Sequence, residues 1–264
     1  MSELEIQESY EKNKLKYERA AQSVKREIDN FIEDIDPELL HYSTYRIKSL
    51  ESVIRKYKEL KLKLEDMDDV AGVRVICRNI SDRDTVLWFI KERYKNHRIA
   101  RKDELNGYRA IHIILQIQVL VAGIPKPVTV EIQLRTTAED YYDVLSRRDL
   151  YRKPAAEAGW FEEMRKASNE LKRLDEKLER LKQKCVADDI STQQQKRLTV
   201  DAIKQLVKMR LKKEISIKEA VVCCIKLKEE GMTIEKLINA LNNHALLGEA
   251  ETYLQRLLGG NFEK

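Results

Sequence analysis

Residues 41–60, HYSTYRIKSLESVIRKYKEL, gather Arg46, Lys48, Ser49, Ser52 and Lys56 just ahead of the acid-rich run EDMDDVAGVRVICR. Cations and hydroxyls in such a group hold phosphate. If Ser49 caps a helix, Ser49, Ser52 and Lys56 share one face of it. The helix N-terminus adds free N–H groups and a dipole that favour anions. Arg46 and Lys48 lie just before that start, so the segment reads as a polyphosphate cradle. The acids supply the complement. Asp69 stands where a loop becomes a strand, and Glu131 lies inside a second strand, TVEIQLR, on one face with Gln133 and Arg135. Two carboxylates on adjacent strands beside a basic helix end suit Mg²⁺ carrying a nucleoside triphosphate. Mg²⁺ takes one or two carboxylates and fills its shell with phosphate oxygens and water. The residues alone therefore point to a Mg²⁺-nucleotide site.

Both strands and helices are needed to place these groups. The spacing predicts a helix over 3–29, a turn at DIDPELL with a new start at Pro37, and a helix over 49–60. VAGVRVICR (70–78) is β-branched and reads as a strand, and SDRDTVLWFIKERYKN (81–96) as a capped amphipathic helix. AIHIILQIQVL (110–120) and VTVEIQLRT (128–136) read as an antiparallel pair turned by GIPKP, and AEDYYDVLSRRDLYRK returns to helix. From Trp160 onward the pattern is helical, with ADDISTQQQKR (187–197) as a polar linker and several helices after it. Leu171, Leu174, Leu178 and Leu181 form a seam that reads first as a packing face and second as an oligomer contact.

Composition narrows the class. The chain has 264 residues, 42% of them hydrophobic and 36% charged, which indicates a helix-rich soluble protein rather than a disordered one. No apolar run nears the ~20 residues of a membrane span, and the start MSELEIQESYEKNK resembles no signal or transit peptide. A cytoplasmic protein with no membrane partner is expected. Cys77, Cys185, Cys223 and Cys224 lack metal-site spacing, which favours reduced thiols, with Cys223 and Cys224 packed in an apolar helix. A net charge of +5 permits phosphorylated partners without requiring them.

At these residues the chain resembles the synthetase domain of the RelA/SpoT family, especially its small single-domain alarmone synthetases. The family's R-x-K-S/P-x-x-S-x-x-x-K is matched by Arg46, Lys48, Ser49, Ser52 and Lys56, and its D-x-A-G-x-R by Asp69, Ala71, Gly72 and Arg74. N/S-G-Y-R-S-x-H is matched by NGYRAIH, Asn106 to His112, and V-E-I-Q-I-R-T by VEIQLRT, Val130 to Thr136. The resemblance implies a Mg²⁺-dependent pyrophosphokinase that moves the β,γ-diphosphate of ATP to the 3′-hydroxyl of GDP or GTP, making (p)ppGpp and releasing AMP. Carried over, Asp69 and Glu131 are the catalytic pair that holds Mg²⁺, and Glu131 helps to activate the 3′-hydroxyl. Arg46 and Arg74 sandwich adenine, while Lys48, Ser52 and Lys56 take the ATP phosphates. Tyr108, expected at the surface after Gly107, stacks on the acceptor base, and His112 sits near the acceptor phosphates. Asn106, Arg109, Gln133 and Arg135 complete the acceptor side. The implied fold is α/β: a nucleotidyltransferase-like mixed β-sheet flanked by helices, with a C-terminal all-helical extension. Residues 1–155 are then the synthetase domain, 156–186 a helical connector and 198–264 a small helical region.

The chain also departs from the family pattern. The acceptor loop K-D-Y-I-x-x-P-K is shortened to RKDELNGY, which keeps Lys102 and Asp103. W-A-x-x-E-H becomes YDVLSR, with Ser146 and Arg147 in place of the acid and histidine, although LYRK (150–153) follows. Residues 198–264 match nothing in small alarmone synthetases. A shorter loop and basic stretches such as SVKRE (23–27) would suit a larger acceptor. One alternative is thus a toxin that pyrophosphorylates the 3′ end of tRNA and blocks translation, with an antitoxin as partner. A second is an inactive nucleotide- or RNA-binding module, against which the retained Asp69 and Glu131 argue. Homo-oligomerisation through the C-terminal helices is a further expectation. Hydrolysis of the product is not expected, because the histidines at 41, 97, 112 and 244 include no His-Asp pair.

Overall fold

The computed structural model describes residues 3–103, 107–146, 158–243 and 246–258, with side chains at all of these except 101–103 and 158. A strand buried on both faces must be apolar almost throughout. AGVRVIC at β2 (Ala71–Cys77) meets that demand, with Arg74 alone left partly exposed. Its neighbours are β1 (Leu40–Ile47), β3 (His97–Asp103), β4 (Arg109–Val121) and β5 (Ile124–Thr136). Together they form one mixed sheet in the order β1-β2-β5-β4-β3. β2 runs parallel to β5, and every other neighbouring pair is antiparallel.

One face of the sheet is apolar: Val73 and Val75, Ile132 and Leu134, and Ile111, Ile113 and Leu115 are all buried. Val86, Leu87 and Ile90 of α3 (Ile80–Arg93) and Val24 and Ile28 of α1 (Glu3–Ile35) are buried as well. Phe31 of α1 stacks on Phe89 of α3, with ring centroids 4.1 Å apart. Ser43 of β1 donates to Asp29 of α1 at 2.6 Å, and Tyr94 donates to Glu27 at 2.9 Å. The mixed sheet with flanking helices agrees with the fold read from the sequence.

The two strands that sequence reasoning missed are the edges. β1, LHYSTYRI, and β3, HRIARKD, each have only one neighbour, so they carry no continuous apolar signal. The start at Pro37 is a single 3₁₀ turn, Pro37–Leu39, which hands the chain to β1 and not to a helix. The β4–β5 turn is tighter than GIPKP suggested. Ala122 and Gly123 form it with φ of 51° and 79°, the left-handed pair that suits the twist of a two-residue hairpin. Pro125 and Pro127 lie within β5, where it has outrun β2, so their missing N–H groups break no bond on that side.

α5 (Ala158–Ser191) overturns two expectations. It runs on through residues 187–191, because Ile190 is wholly buried and anchors the last turn; the polar linker begins only at Thr192. Leu174, Leu178 and Leu181 are 49%, 48% and 49% exposed, so the seam is not a packing face within the described chain. Met164, Ser168 and Asp175 are buried instead, on another side of the helix.

The chain divides into two compact units, residues 1–31 with 38–175, and residues 32–37 with 176–264. The second includes α6 (Val200–Leu211), α7 (Ile217–Glu229), α8 (Ile234–Asn242) and α9 (Leu247–Leu257). Thr199, Ser216 and Thr233 cap α6, α7 and α8, and Ser216 with Glu219 forms a complete capping box. Ile203, Leu206, Val221, Leu227, Leu237 and Leu254 make the apolar core, and Cys223 and Cys224 are buried in it as expected. No helix among the described residues is long and apolar enough to cross a membrane.

Gly107, which leads into β4, is the tightest backbone position near the sheet. Its φ is +87°, and a Cβ there would lie 2.7 Å from Ser168 Cβ and 2.9 Å from the Tyr142 hydroxyl. Gly107→Ala should therefore lose about 2–5 kcal/mol of stability in urea unfolding, from the left-handed backbone and from overpacking. A loss below ~0.5 kcal/mol would contradict this packing.

Candidate functional site

Register places the polar residues on one side of the sheet. Gly72 pairs with Glu131 and Arg74 with Gln133 between β2 and β5. His112 of β4 lies opposite Gln133, and Arg46 of β1 lies opposite Gly72. Directly opposed residues point to the same face. Arg46, Arg74, Glu131, Gln133, His112 and Arg135 thus share the face away from the apolar core. Gly72 leaves room beneath Arg46, whose Cγ would sit 3.3 Å from a Cβ at that position.

The cradle at α2 (Leu50–Leu60) is built as its sequence suggests. Ser49 is the N-cap, its hydroxyl accepting from the Ser52 N–H and donating to the Ser52 hydroxyl at 2.9 Å. The backbone before the cap is pinned twice. Lys48 N–H donates to the Val70 carbonyl at 2.9 Å, and the buried Tyr10 of α1 donates its hydroxyl to the Lys48 carbonyl at 2.8 Å. These bonds carry Lys48 alongside Asp69. Lys48 Nζ donates to Asp69 Oδ2 at 2.8 Å and Lys56 Nζ to Oδ1 at 2.9 Å, so both carboxylate oxygens are held. Burial alone would raise the Asp69 carboxyl, but the two lysine hydrogen bonds outweigh it and keep it below the ordinary aspartate value.

Glu131 is 8% exposed and equally well held. Its Oε1 meets His112 Nδ1 at 2.8 Å, and its Oε2 accepts from Gln133 Nε2 at 2.9 Å. Burial pushes its carboxyl up, and the contacts with His112 and Gln133 more than reverse this, although the Asp69 charge nearby opposes them. Asp69 is thus near enough for its charge to act on the Glu131 carboxyl. Among the described residues no three His, Cys, Asp or Glu side chains form a metal cage. A pair of carboxylates is the donor set that fits Mg²⁺ when phosphate and water supply the rest of its shell.

Beneath the pair lies a buried ionic network. Arg135 is 0% exposed. Its guanidinium donates to Asp140 at 3.0 Å and Asp143 at 2.8 Å on α4 (Thr137–Leu145), to the Tyr108 hydroxyl at 2.6 Å and to Gln133 Oε1 at 3.2 Å. Arg74 lies 3.8 Å from Asp143, and Tyr42 donates to Asp140 at 2.5 Å.

Several sequence-derived assignments fall elsewhere in the structure. Tyr108 is 6% exposed, not at the surface, because its hydroxyl sits between Arg135 and His112. Arg135 has no surface to offer an acceptor. Arg109 is not gathered with the others: its guanidinium donates to the Ser168 carbonyl at 2.8 Å and to Asn169 Oδ1 at 2.7 Å on α5. Asn106, Arg147 and residues 150–153 lie outside the described residues, as do the side chains of Lys102 and Asp103. Sequence reasoning overlooked Tyr10, Tyr42, Asp140 and Asp143. The two aspartates had a signal: they follow Arg135 by five and eight residues, on a helix capped immediately after β5.

Known proteins resemble this chain in sequence and fold. A family model described as "Region found in RelA / SpoT proteins" matches residues 45–153. The chain is 32% identical over 127 residues to the GTP pyrophosphokinase YwaC of Bacillus subtilis, covering 43% of this chain and 59% of that protein. It is 27% identical over 111 residues to the GTP pyrophosphokinase YjbM of the same organism, covering 39% and 53%. The match thus spans under two thirds of either relative. The crystal structure of small alarmone synthetase 2 from B. subtilis superposes with a TM-score of 0.60 at 29% identity, over 66% of this chain and 99% of that one. Small alarmone synthetase 1 bound to its product pppGpp shares the fold, with a TM-score of 0.58 at 23% identity, over 66% and 96%.

The Asp69 shift has a sign that can be tested. A carboxyl with a lowered folded-state pKa contributes stability above its unfolded value of ~3.9, and loses it as pH falls through the folded value. Asp69→Asn should lose less stability than the parent chain between pH ~5 and ~3 in urea unfolding of the metal-free protein. Identical acid limbs for the two proteins would contradict the ion-pair assignment.

Proposed function

We propose, from the match of residues 45–153 to a region found in RelA/SpoT proteins, that the chain is an ATP-dependent pyrophosphokinase that transfers the β,γ-diphosphate of ATP to the 3′-hydroxyl of GDP or GTP. The observation that carries this reading is the pairing of Lys48 and Lys56 with Asp69, within Coulomb range of Glu131. Such a cluster already contains the charges that a magnesium triphosphate would exchange with. The lysines would turn from Asp69 to phosphate oxygens, and the carboxylates of Asp69 and Glu131 would hold Mg²⁺. The ion supplies neutralisation of the triphosphate and polarisation of the phosphoryl group under attack.

In the transfer, the acceptor 3′-oxygen forms a bond to the β-phosphorus while the bridge between the α- and β-phosphates breaks, leaving AMP. The proton of the 3′-hydroxyl passes to Glu131, whose carboxylate is ionised and fixed in direction. Arg46 over Gly72, with Arg74 beside it on the sheet face, offers flat cations for the adenine ring. Most of the rate then comes from positioning and charge neutralisation, as expected where little covalent chemistry falls to the protein.

The test is incubation with γ-labelled ATP, Mg²⁺ and GDP, GTP or deacylated tRNA. Label on GDP or GTP supports the proposal, label on RNA alone would reassign the acceptor, and label on none would refute transfer. Asp69→Asn and Glu131→Gln should each lower transfer by ~100-fold or more while leaving the fold intact. Lys56→Met should raise the KM for ATP by ~10-fold, about 1.4 kcal/mol of lost phosphate binding. A variant of either acid retaining parental activity would show that the site is misplaced.

A further inference from the structure

α4 carries an acid where the RelA/SpoT pattern has none, and its end lacks the acid that the pattern has. In W-A-x-x-E-H, which reads YDVLSR here, the alanine becomes Asp143 and the glutamate becomes Ser146. The two changes lie three residues apart, so they share one face of a helix. The buried Ser146 hydroxyl donates to the Asp143 carbonyl at 3.2 Å and brings no charge of its own. Asp143 is 1% exposed. Its Oδ2 accepts from Arg135 Nη1 at 2.8 Å and lies 3.8 Å from Nη2 of Arg74.

Helix geometry lets an acid at either position serve one spot. Helical side chains lean toward the N-terminus, over the preceding turn. A glutamate at 146, one methylene longer than aspartate, reaches back toward the place that the short Asp143 side chain fills directly. Ser146 keeps right-handed helical angles, φ −61° and ψ −44°, so that direction holds at the end of α4. Charge balance also asks for such an acid. Arg135 and Arg74 are two cations, and Asp140 already gives one oxygen to Arg135 and the other to the Tyr42 hydroxyl. Without Asp143, two guanidiniums would face one carboxylate, and Arg135 has no exposure to water.

We infer that Asp143 replaces, three residues earlier, the acid missing at 146, and is a positioning residue that holds Arg74 on the sheet face for ATP. One carboxylate oxygen serves both guanidiniums: it balances the buried Arg135 and sets how far Arg74 leans toward α4. That Arg74 then meets the adenine rests on the function proposed above. The relocated counter-charge does not.

The experiment compares Asp143→Asn, Asp143→Ala and the double variant Asp143→Ala/Ser146→Glu in the full chain. Each is followed by urea unfolding, by binding of α,β-methylene-ATP with Mg²⁺, and by transfer kinetics. Asp143→Asn keeps the shape and removes the charge. Its KM for ATP and its Kd for the analogue should rise ~10-fold, while the KM for the acceptor stays within ~2-fold of the parent value. A general loss of packing would not divide the two substrates in this way. Asp143→Ala should lower the urea midpoint by ~1 M or more, and adding Ser146→Glu should return about half or more of that loss. Equal rises in the two KM values, or no rise in either, overturn the positioning role. A double variant no more stable than Asp143→Ala overturns the relocation. If the parent chain does not bind the analogue, the proposed function and the ATP role fail together, and unfolding alone decides the relocated charge.

Discussion

The parallel register of β2 against β5 is the constraint on which the site depends. Opposing Gly72 to Glu131 and Arg74 to Gln133 puts the polar members of both central strands on one face and the valines, Ile132 and Leu134 on the other. A one-residue slip would send Glu131 into the apolar core and Ile132 into the site, so burial of the apolar face fixes where the carboxylate points. Asp69 lies just before β2 begins, and its lysine partners are tied to the same strand end by the Lys48–Val70 backbone bond. The cradle and the acid pair are thus positioned by one piece of backbone.

A buried cation is the second requirement. Arg135 lies under the site with no exposure, and an uncompensated charge there would cost several kcal/mol even after local relaxation. Asp140 and Asp143 meet it directly, and Arg74 offsets the second aspartate. Two positive and two negative side chains therefore balance beneath Glu131. That balance lets Nη2 of Arg135 point at Tyr108 and Gln133, so the ion cluster beneath the sheet face is linked through Gln133 to the Glu131 carboxylate.

The sequence made the central strands readable because their periodicity is strong. VAGVRVICR is β-branched and almost wholly apolar, and VEIQLRT alternates so cleanly that the shared face of Glu131, Gln133 and Arg135 follows from counting by two. Ser49 as a cap followed from the same local logic. The edge strands β1 and β3 escaped because an edge needs only half the apolar signal, and HYSTYRI also looks like the approach to a helix. Tyr108 was misread as exposed because its burial depends on Arg135, which is 27 residues away in sequence. The leucine seam of α5 misled for the opposite reason. Its spacing is regular, yet the helix turns Met164, Ser168 and Asp175 inward, where Ser168 receives Arg109 and Asp175 receives Thr136. Hydrogen-bond demand from the rest of the fold decided the orientation, and periodicity does not report that demand.

The proposed function turns on one binding event: Asp69 and Glu131 would take a divalent ion together with a triphosphate, in exchange for the lysines that hold Asp69 without it. Electron paramagnetic resonance of Mn²⁺ titrated into the full chain, with and without α,β-methylene-ATP, observes that event without any turnover. The account predicts immobilised Mn²⁺ only when the nucleotide is present, and its loss in Asp69→Asn and in Glu131→Gln. Immobilised Mn²⁺ persisting in both variants would contradict it.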